Sequence, residues 1–258
     1  WPTQLLDAAR IQAEWGGTGS APVQLYWELD STQDELARHL SAAPDLTVVL
    51  AERQTLGRGR RGRDWRSPPG LGIYLSCLKR FSGSPAALSG LSIAVGVCVV
   101  QALTDVGVPG LQLKWPNDVL LQGRKLAGIL VELAGDTLGP TSVVIGVGIN
   151  LQSPEVDQPT AGVRDIRPEL SRNELAGALL TELAQVLDEF AQGGFAGLRQ
   201  DWQQHHLWQD QPVELIHADG LRITGIARGV DSLGALLLET PDGVQRFHSG
   251  DVSLRSRA

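Results

Sequence analysis

Methionine is absent from these 258 residues, and cysteine, tyrosine and phenylalanine number only two, two and four. Cys77 and Cys98 both sit inside apolar runs, which reads as two buried, reduced thiols. A disulfide framework would need more cysteines, and zinc-ligand spacing is missing. The histidines offer no metal constellation either: His205 and His206 are adjacent and point apart, and His217 and His248 fall among short strands. Basic residues are outnumbered, 22 against 29 acidic ones for a net charge of −7. That excludes a surface that is broadly a nucleic-acid footprint but permits a small basic site. No apolar run is expected to reach the roughly 20 residues needed to cross a bilayer, and the N-terminus lacks a signal-peptide layout. With reduced thiols, this points to the cytoplasm. Because the chain opens on Trp1 and has no methionine, its native start is expected to be missing, which leaves an N-terminal extension open.

What is present is a mixed α/β pattern followed by a change of texture, with no internal repeat. Residues 1–28 read as an N-terminal helix and linker, with a helical pattern (LLDAARIQAEW) stopping at Gly16-Gly17. Within them VQLYWELD begins a strand, and Ser31 and Thr32, followed by Asp34 and Glu35, look like the caps of a helix. Residues 46–52 form a continuous apolar run of the kind buried strands show. A further strand (LGIYLSCLKR) follows, then small and apolar residues at helical spacing from Pro85 to a stop at Gly107. VLLQGRKLAGILVEL reads as a hairpin around Gln122-Gly123, and TSVVIGVGINL as another buried strand. Ser171 and Glu174 open the clearest helix, with Leu175, Leu179, Leu183, Leu187 and Phe190 on one face. From about residue 211, short alternating runs separated by Asp-Gly and Ser-Leu-Gly turns indicate a small β-barrel. The division is therefore 1–28, 29–210 and 211–258.

The most informative segment is Gly57-Arg58-Gly59-Arg60-Arg61-Gly62-Arg63-Asp64-Trp65. Its arginines repel one another, so the loop is costly to order without an anion. Its glycines allow close backbone approach, and arginine gives planar, bidentate bonds to phosphate or carboxylate. A dinucleotide fingerprint would need a helix to open here, which Ser67-Pro68-Pro69-Gly70 forbids. A solvated surface loop or a DNA-contacting loop are the alternatives. Lys114-Trp115-Pro116-Asn117-Asp118 ends a strand at a turn stiffened by proline. Lys114 is suited to a phosphate and Asn117 or Asp118 to a ribose, a metal or a backbone group, with a plain Asn-Asp turn as the alternative. Lys125 leads into a small-residue strand in which Gly128 leaves room for a ligand; a solvated hairpin lysine is the bland alternative. In Gly146-Val147-Gly148-Ile149-Asn150 the alternating glycines strip one face of side chains, which suits a ring packed on backbone, or else marks a bulge.

Taken in this order, GRGRRGRDW, KWPNDVLLQGRKLAGILVE and VVIGVGINL resemble the three signature blocks of bacterial biotin protein ligases. LDSTQ at 29–33 resembles the Asp-Ser-Thr segment that precedes them, and GVDSLGALLLE and SLRS resemble the family's C-terminal domain. The resemblance implies an α+β fold, with a biotin- and ATP-binding catalytic domain at 29–210 like those of class II aminoacyl-tRNA synthetases and lipoate ligases. An SH3-like barrel would follow at 211–258. It implies that Ser31, Thr32, Gln33 and Gln54 hold the biotin ureido end, and that Gly57, Arg58, Gly59 and Arg60 order over biotin and its adenylate. Lys125 would meet the biotin carboxylate and the phosphate, with Gly128 lining the slot. Arg63, Trp65, Lys114, Asn117, Asp118, Asn150 and Arg255 would serve ATP, whose magnesium needs no dedicated protein site. Lys125, Arg58 and Arg60 are the expected catalytic groups.

The implied reaction is attack of the biotin carboxylate on the α-phosphate of ATP, releasing pyrophosphate. The lysine amine of a biotin carboxyl carrier protein then attacks the biotinyl-5′-AMP. Lipoate transfer is the enzyme rival, disfavoured because the Arg-Gly loop and KWPND are not its signature. A biotin-sensing repressor is the second rival. Residues 1–28 are too short for a winged helix, so no specific DNA binding and no membrane contact are expected, and a homodimer through a sheet edge stays open. One departure stands out. Between Asn150 and Ser171 there is no aromatic residue, whereas some family members cover the adenine with a tryptophan from this region.

Overall fold

The computed structural model describes residues 5–15, 22–135, 140–217, 220–248 and 252–256. The expected stop at Gly16-Gly17 and the Asp219 turn lie outside these residues. The apolar runs form one seven-stranded sheet from β1 (Val23–Leu29), β2 (Val48–Gln54), β3 (Gly72–Phe81), β4 (Leu111–Lys114), β5 (Asp118–Leu121), β6 (Arg124–Ala134) and β7 (Thr141–Asn150). Its order is β1-β2-β3-β7-β6-β5-β4; β1 and β2 run parallel and every other pair is antiparallel. The hairpin expected at Gln122-Gly123 is there, and both residues carry positive φ, 52° and 74°, as a two-residue turn matched to strand twist requires.

Side chains alternate across a strand, and that alternation separates scaffold from site. Ile73, Leu75, Leu113, Val119, Ala127, Ile129, Val147 and Ile149 are buried in the large core. There they meet α3 (Leu91–Asp105) and α4 (Arg172–Gly193). The opposite face carries Tyr74, Ser76, Gly128, Gly146 and Gly148, with α2 (Thr32–Arg38) over its outer part. Ser171 caps α4, accepting the Glu174 N–H at 3.5 Å, and the five residues expected on one face of that helix are all buried. One expectation needs correcting. Pro85–Asp105, 21 residues containing an 18-residue stretch of mean hydropathy 2.0, is long and apolar enough to cross a membrane by length and composition. It is so apolar because α3 packs between the sheet and α4, with eleven of its fifteen residues buried.

At the N-terminus, β1 begins at Val23 and residues 5–15 pack on the scaffold. In α1 (Ala8–Glu14), Ile11 is buried, and the Trp15 carbonyl just beyond accepts from Thr181 Oγ1 of α4 at 3.0 Å. Arg172, fully buried, pairs with Glu52 of β2 at 2.6 Å and donates to the Gly72 carbonyl, while Glu52 also accepts the Leu6 N–H at 2.6 Å. A buried charge needs such saturation, since an unpaired one costs several kcal/mol. Both cysteines are free and buried, and burial pushes the Cys77 thiol up to about 12.

The C-terminal residues form an antiparallel sheet of β8 (Pro212–His217), β9 (Arg222–Val230), β10 (Leu236–Thr240), β11 (Gly243–Phe247) and β12 (Val252–Ser256), ordered β11-β10-β9-β8-β12. It is tied to the first sheet at the KWPND turn. Trp115 Nε1 donates to the Gly234 carbonyl at 3.2 Å, and the connecting chain runs beside β4, with Leu113 N–H on the His205 carbonyl at 2.7 Å.

Candidate active site

Strand register sets the site out in a row. Lys114 pairs with Asp118, Asp118 with Gly128, Gly128 with Gly148 and Gly148 with Tyr74, so one line of residues crosses β4, β5, β6, β7 and β3 on the same face. The next line on that face holds Leu130, Gly146 and Ser76. Lys125 and Gly128 are three apart and would point oppositely in a regular strand. The register shifts between Val119 and Leu120, and this bulge re-aims Lys125 so that it shares the face with Gly128. A Cβ on Gly128 would lie 3.4 Å from Lys125 Cε. Above these rows lies a cleft of about 470 Å³.

One end of the cleft is neutral and densely hydrogen bonded. Ser31 caps α2, accepting from the Gln33 and Asp34 N–H groups at 3.2 and 3.4 Å. That places Thr32 and Gln33, both buried, against the sheet. Thr32 donates its N–H to Gln54 Oε1 at 2.8 Å, and its hydroxyl sits 2.8 Å from Ser76 Oγ. Ser76 donates to Gln33 Oε1 at 3.1 Å, and Gln33 Nε2 donates to the Val144 carbonyl at 2.9 Å. Gly146 is needed for this: a Cβ there would stand 2.7 Å from Gln33 Oε1.

The middle is roofed by the arginine–glycine loop. Trp65 N–H donates to the Gly57 carbonyl at 2.8 Å and Gly59 N–H to the Arg63 carbonyl at 2.7 Å, closing the loop on itself. The Trp65 indole rests on the glycine floor, where a Cβ at Gly148 would collide with it and one at Gly128 would lie 3.0 Å away. The ring expected on backbone is thus this indole. Its buried Nε1 has no partner among the described residues, and Lys125 Nζ lies 5.3 Å from its centroid.

At the far end the charge is positive. Lys125 Nζ pairs with Asp118 at 2.7 Å, while its carbonyl accepts from Ala161 N–H at 2.9 Å. Lys114 lies 5.4 Å from the Trp208 ring centroid. Burial lowers its pKa most, and the nearby Arg255, with Lys125 and Arg63 behind it, lowers it further against the opposing pull of Asp118. Arg58, Arg60, Arg61, Arg63, Lys114, Lys125 and Arg255 line the cleft against three carboxylates, Asp64, Asp118 and Asp157. In a chain of net charge −7, such a basin concentrates anions.

Most residues singled out in the sequence therefore converge: Ser31, Thr32, Gln33, Gln54, Arg58, Gly59, Arg60, Arg63, Trp65, Lys114, Asn117, Asp118, Lys125, Gly128 and Arg255 all line the cleft. Two do not. Gly57 lies beneath the loop, where a Cβ would stand 2.8 Å from Ser67 Oγ. Asn150 is buried and donates to the Lys125 carbonyl at 3.4 Å, holding that lysine's backbone rather than facing the cleft. Arg58 is engaged by two carboxylates, Asp34 at 2.9 Å and Glu132 at 2.7 Å. Asn117 brackets two elements, accepting from Arg60 at 3.3 Å and donating to the Ile129 carbonyl at 3.0 Å. The sequence reading missed Tyr74 and Ser76, whose period-2 spacing on β3 was the available signal. It also missed Val156, Asp157 and Gln158, brought to the cleft because Lys125 N–H bonds the Pro159 carbonyl at 3.0 Å. Among the described residues, no three His, Cys, Asp or Glu side chains group as metal ligands.

Comparison with known proteins places this arrangement. Residues 27–150 match the biotin/lipoate A/B protein ligase family and residues 210–255 the biotin protein ligase C-terminal domain. The chain is 39% identical to the bifunctional ligase/repressor BirA of Escherichia coli (strain K12) over 262 aligned positions, covering 99% of this chain and 80% of the relative. It is 36% identical to the biotin–[acetyl-CoA-carboxylase] ligase of Mycobacterium tuberculosis, covering 94% of this chain and 92% of the relative. A solved biotin protein ligase from Aquifex aeolicus, in complex with biotin and ATP, superposes with a TM-score of 0.80 at 30% identity, over 93% of this chain and all of that one. On sequence, architecture and the make-up of its cleft together, the chain belongs to the biotin protein ligase family, ATP-dependent enzymes that attach biotin to protein.

Proposed function

We propose that this chain forms biotinyl-5′-AMP from biotin and the magnesium complex of ATP in the cleft, then passes biotin to a lysine of a biotin carboxyl carrier protein. The observation that carries the assignment of ends is their contrast. A neutral, hydrogen-bonding pocket of Ser31, Thr32, Gln33, Gln54 and Ser76 suits the uncharged ureido ring. The cationic end of Arg63, Lys114 and Arg255 suits the nucleotide phosphates. Lys125, between them on the sheet face, meets the carboxylate and the phosphorus it attacks. Both reactants are anions, so lysine and arginine charge must cancel their repulsion and stabilise what develops on phosphorus. Asp118 and Asn150 position Lys125, Gly128 leaves the slot open, and Arg58 and Arg60 with Gly57 and Gly59 bring the loop over the product. The mixed anhydride is destroyed by water, and the loop excludes it. Asn117 steadies the loop through Arg60, and Trp65 packs against the bound adenylate.

We further read the fold as related to class II aminoacyl-tRNA synthetases and lipoate ligases, with residues 29–210 as the catalytic domain and 211–258 as an SH3-like barrel. The acidic balance argues against specific DNA contact by these residues, and the reduced thiols fit the cytoplasm. No membrane role is assigned, and a homodimer through the β1 or β4 sheet edge is compatible with the strand order. The test is biotin-dependent ATP–pyrophosphate exchange. Lys125→Ala should nearly abolish it, and Arg60→Gly should release biotinyl-adenylate faster than the parent. Unchanged exchange and release in both variants would falsify these roles.

A further inference from the structure

A second cavity, of about 330 Å³, lies beside the first and shares three lining residues with it, Arg60, Trp115 and Pro116. It opens between the two sheets. One wall is the start of α3 with Ser89, Ser92 and Ile93, and the other is Gly234, in the turn between β9 and β10, with His248 just past β11. The gap is held open by fixed contacts. Trp115 Nε1 bonds the Gly234 carbonyl at 3.2 Å, Ser89 Oγ donates to the Leu233 carbonyl at 2.8 Å, and Ser92 Oγ to the Pro116 carbonyl at 3.3 Å. A Cβ on Gly234 would lie 2.8 Å from Gly90 Cα, so the two backbones already touch at the floor. Polar and apolar groups alternate in the lining, Ser89 and Ser92 beside Leu88, Pro116 and Val131, and among the described lining residues only Arg60 and His248 can carry charge.

We propose that this groove is the entry for the acceptor lysine, a reading that rests on the ligase function above. Once biotin and nucleotide fill the main cleft beneath the loop, the attacking amine needs a separate approach, and the groove reaches the same Trp115–Pro116 turn from the other side. The apolar part of its lining, Leu88, Pro116 and Val131, fits the tetramethylene stem of a lysine on a protruding turn, a stem that packs along apolar surface while its head lies elsewhere. Among the described lining residues no carboxylate is present to hold the head as ammonium, and both desolvation and the charge of Arg60 lower an amine's pKa. The ammonium therefore yields one proton to solvent on entering. The neutral nitrogen attacks the acyl carbon, the C–N bond forms, and the bond between the acyl carbon and the bridging oxygen breaks, the oxygen staying on phosphorus. AMP leaves with that electron pair, and the nitrogen's second proton passes to water. The groove thus supplies by environment what a dedicated base would supply.

The test separates the two half-reactions in the intact chain, using a carboxylase carrier domain that the parent modifies. Ser89→Trp and His248→Trp fill the groove from opposite walls. Both should keep biotin-dependent pyrophosphate exchange within two-fold of the parent, while single-turnover transfer from preformed biotinyl-adenylate to the carrier falls by about 100-fold, the scale of a misplaced reactant. Hydroxylamine, which needs no groove, should still be acylated at the parent rate. Normal exchange with unimpaired carrier transfer in both variants overturns the proposal. So does a change in oligomeric state in place of a transfer defect, which would assign the groove to a second copy of the chain. Absence of exchange in the parent would instead strike the ligase reading itself.

Discussion

The two ends of the main cleft recognise by opposite means. At the neutral end, Thr32, Gln33, Gln54 and Ser76 satisfy one another, and three of the four are buried. At the other end, Lys114 sits among Arg255, Lys125 and Arg63, with Asp118 as the close counter-charge. The first is preorganised: its donors and acceptors are already aimed, and a ligand must match them. The second stores repulsion that an anion relieves. A ligase of two unlike substrates is served by this division, because shape and hydrogen bonds discriminate the vitamin while charge gathers the nucleotide and steadies the reacting phosphorus.

The contrast can be broken most forcefully at the junction. Lys125→Ala removes the charge nearest the reaction, and adenylate formation should fall by about 100- to 1,000-fold, the loss typical of deleting one electrostatic stabiliser. Biotin affinity, read by calorimetry, should change far less. An equal loss of both would merge the ends into one.

Acid pH should tell on the scaffold of the cationic end. His206 bridges β4 at Leu113, next to Lys114, and stacks on Trp202 with centroids 4.5 Å apart. Burial lowers its pKa to about 4. Between about pH 6.5 and 4 the unfolded chain therefore holds a proton that the folded chain refuses. Stability falls as pH drops through that window, by up to about 3 kcal/mol below it, and is unaffected above it. Urea titrations at pH 7 and pH 4.5 check this, and His206→Gln should flatten the difference; an unchanged slope would remove His206 as its cause.

Smaller effects sharpen the neutral end. Ser76→Ala leaves Gln33 Oε1 and the Thr32 hydroxyl short of a partner and should weaken biotin by about 1–3 kcal/mol, with the KM for ATP unmoved. Salt should act in the opposite sense. Raising ionic strength from about 0.01 to 0.15 M shortens the screening length from about 30 to 8 Å, so nucleotide affinity should drop several-fold while biotin affinity stays within error. Biotin binding that weakens with salt as steeply as ATP binding would deny the neutral end its distinct character.

How much of this was legible in the sequence follows the same division. The cationic end announces itself, because Gly57–Trp65, Lys114–Asp118 and Lys125 carry charge, glycine and proline in contiguous runs. Ser76 and Tyr74 share one face of their strand by period-2 spacing, but only cross-strand register sets them beside Gly146 and Gly148. The aim of Lys125 depends on a bulge, which spacing alone does not reveal. Asn150 was expected at the nucleotide only because the resemblance implies it, and it turns to a neighbouring carbonyl. Val156–Gln158 reach the cleft through one backbone pairing between the strand of Lys125 and a proline-rich loop, with no periodicity to mark it. The helix α3 was read from small and apolar residues at helical spacing; packing between the sheet and α4, with eleven of its fifteen residues buried, is what permits so little polarity.

Mass spectrometry of a carboxylase carrier domain, incubated with the purified chain, biotin and magnesium ATP, tests the account most directly. It should gain one biotinyl group on a single lysine, and omission of either biotin or ATP should leave the domain unmodified. A domain that stays unmodified with every component present, or that is labelled without nucleotide, contradicts it.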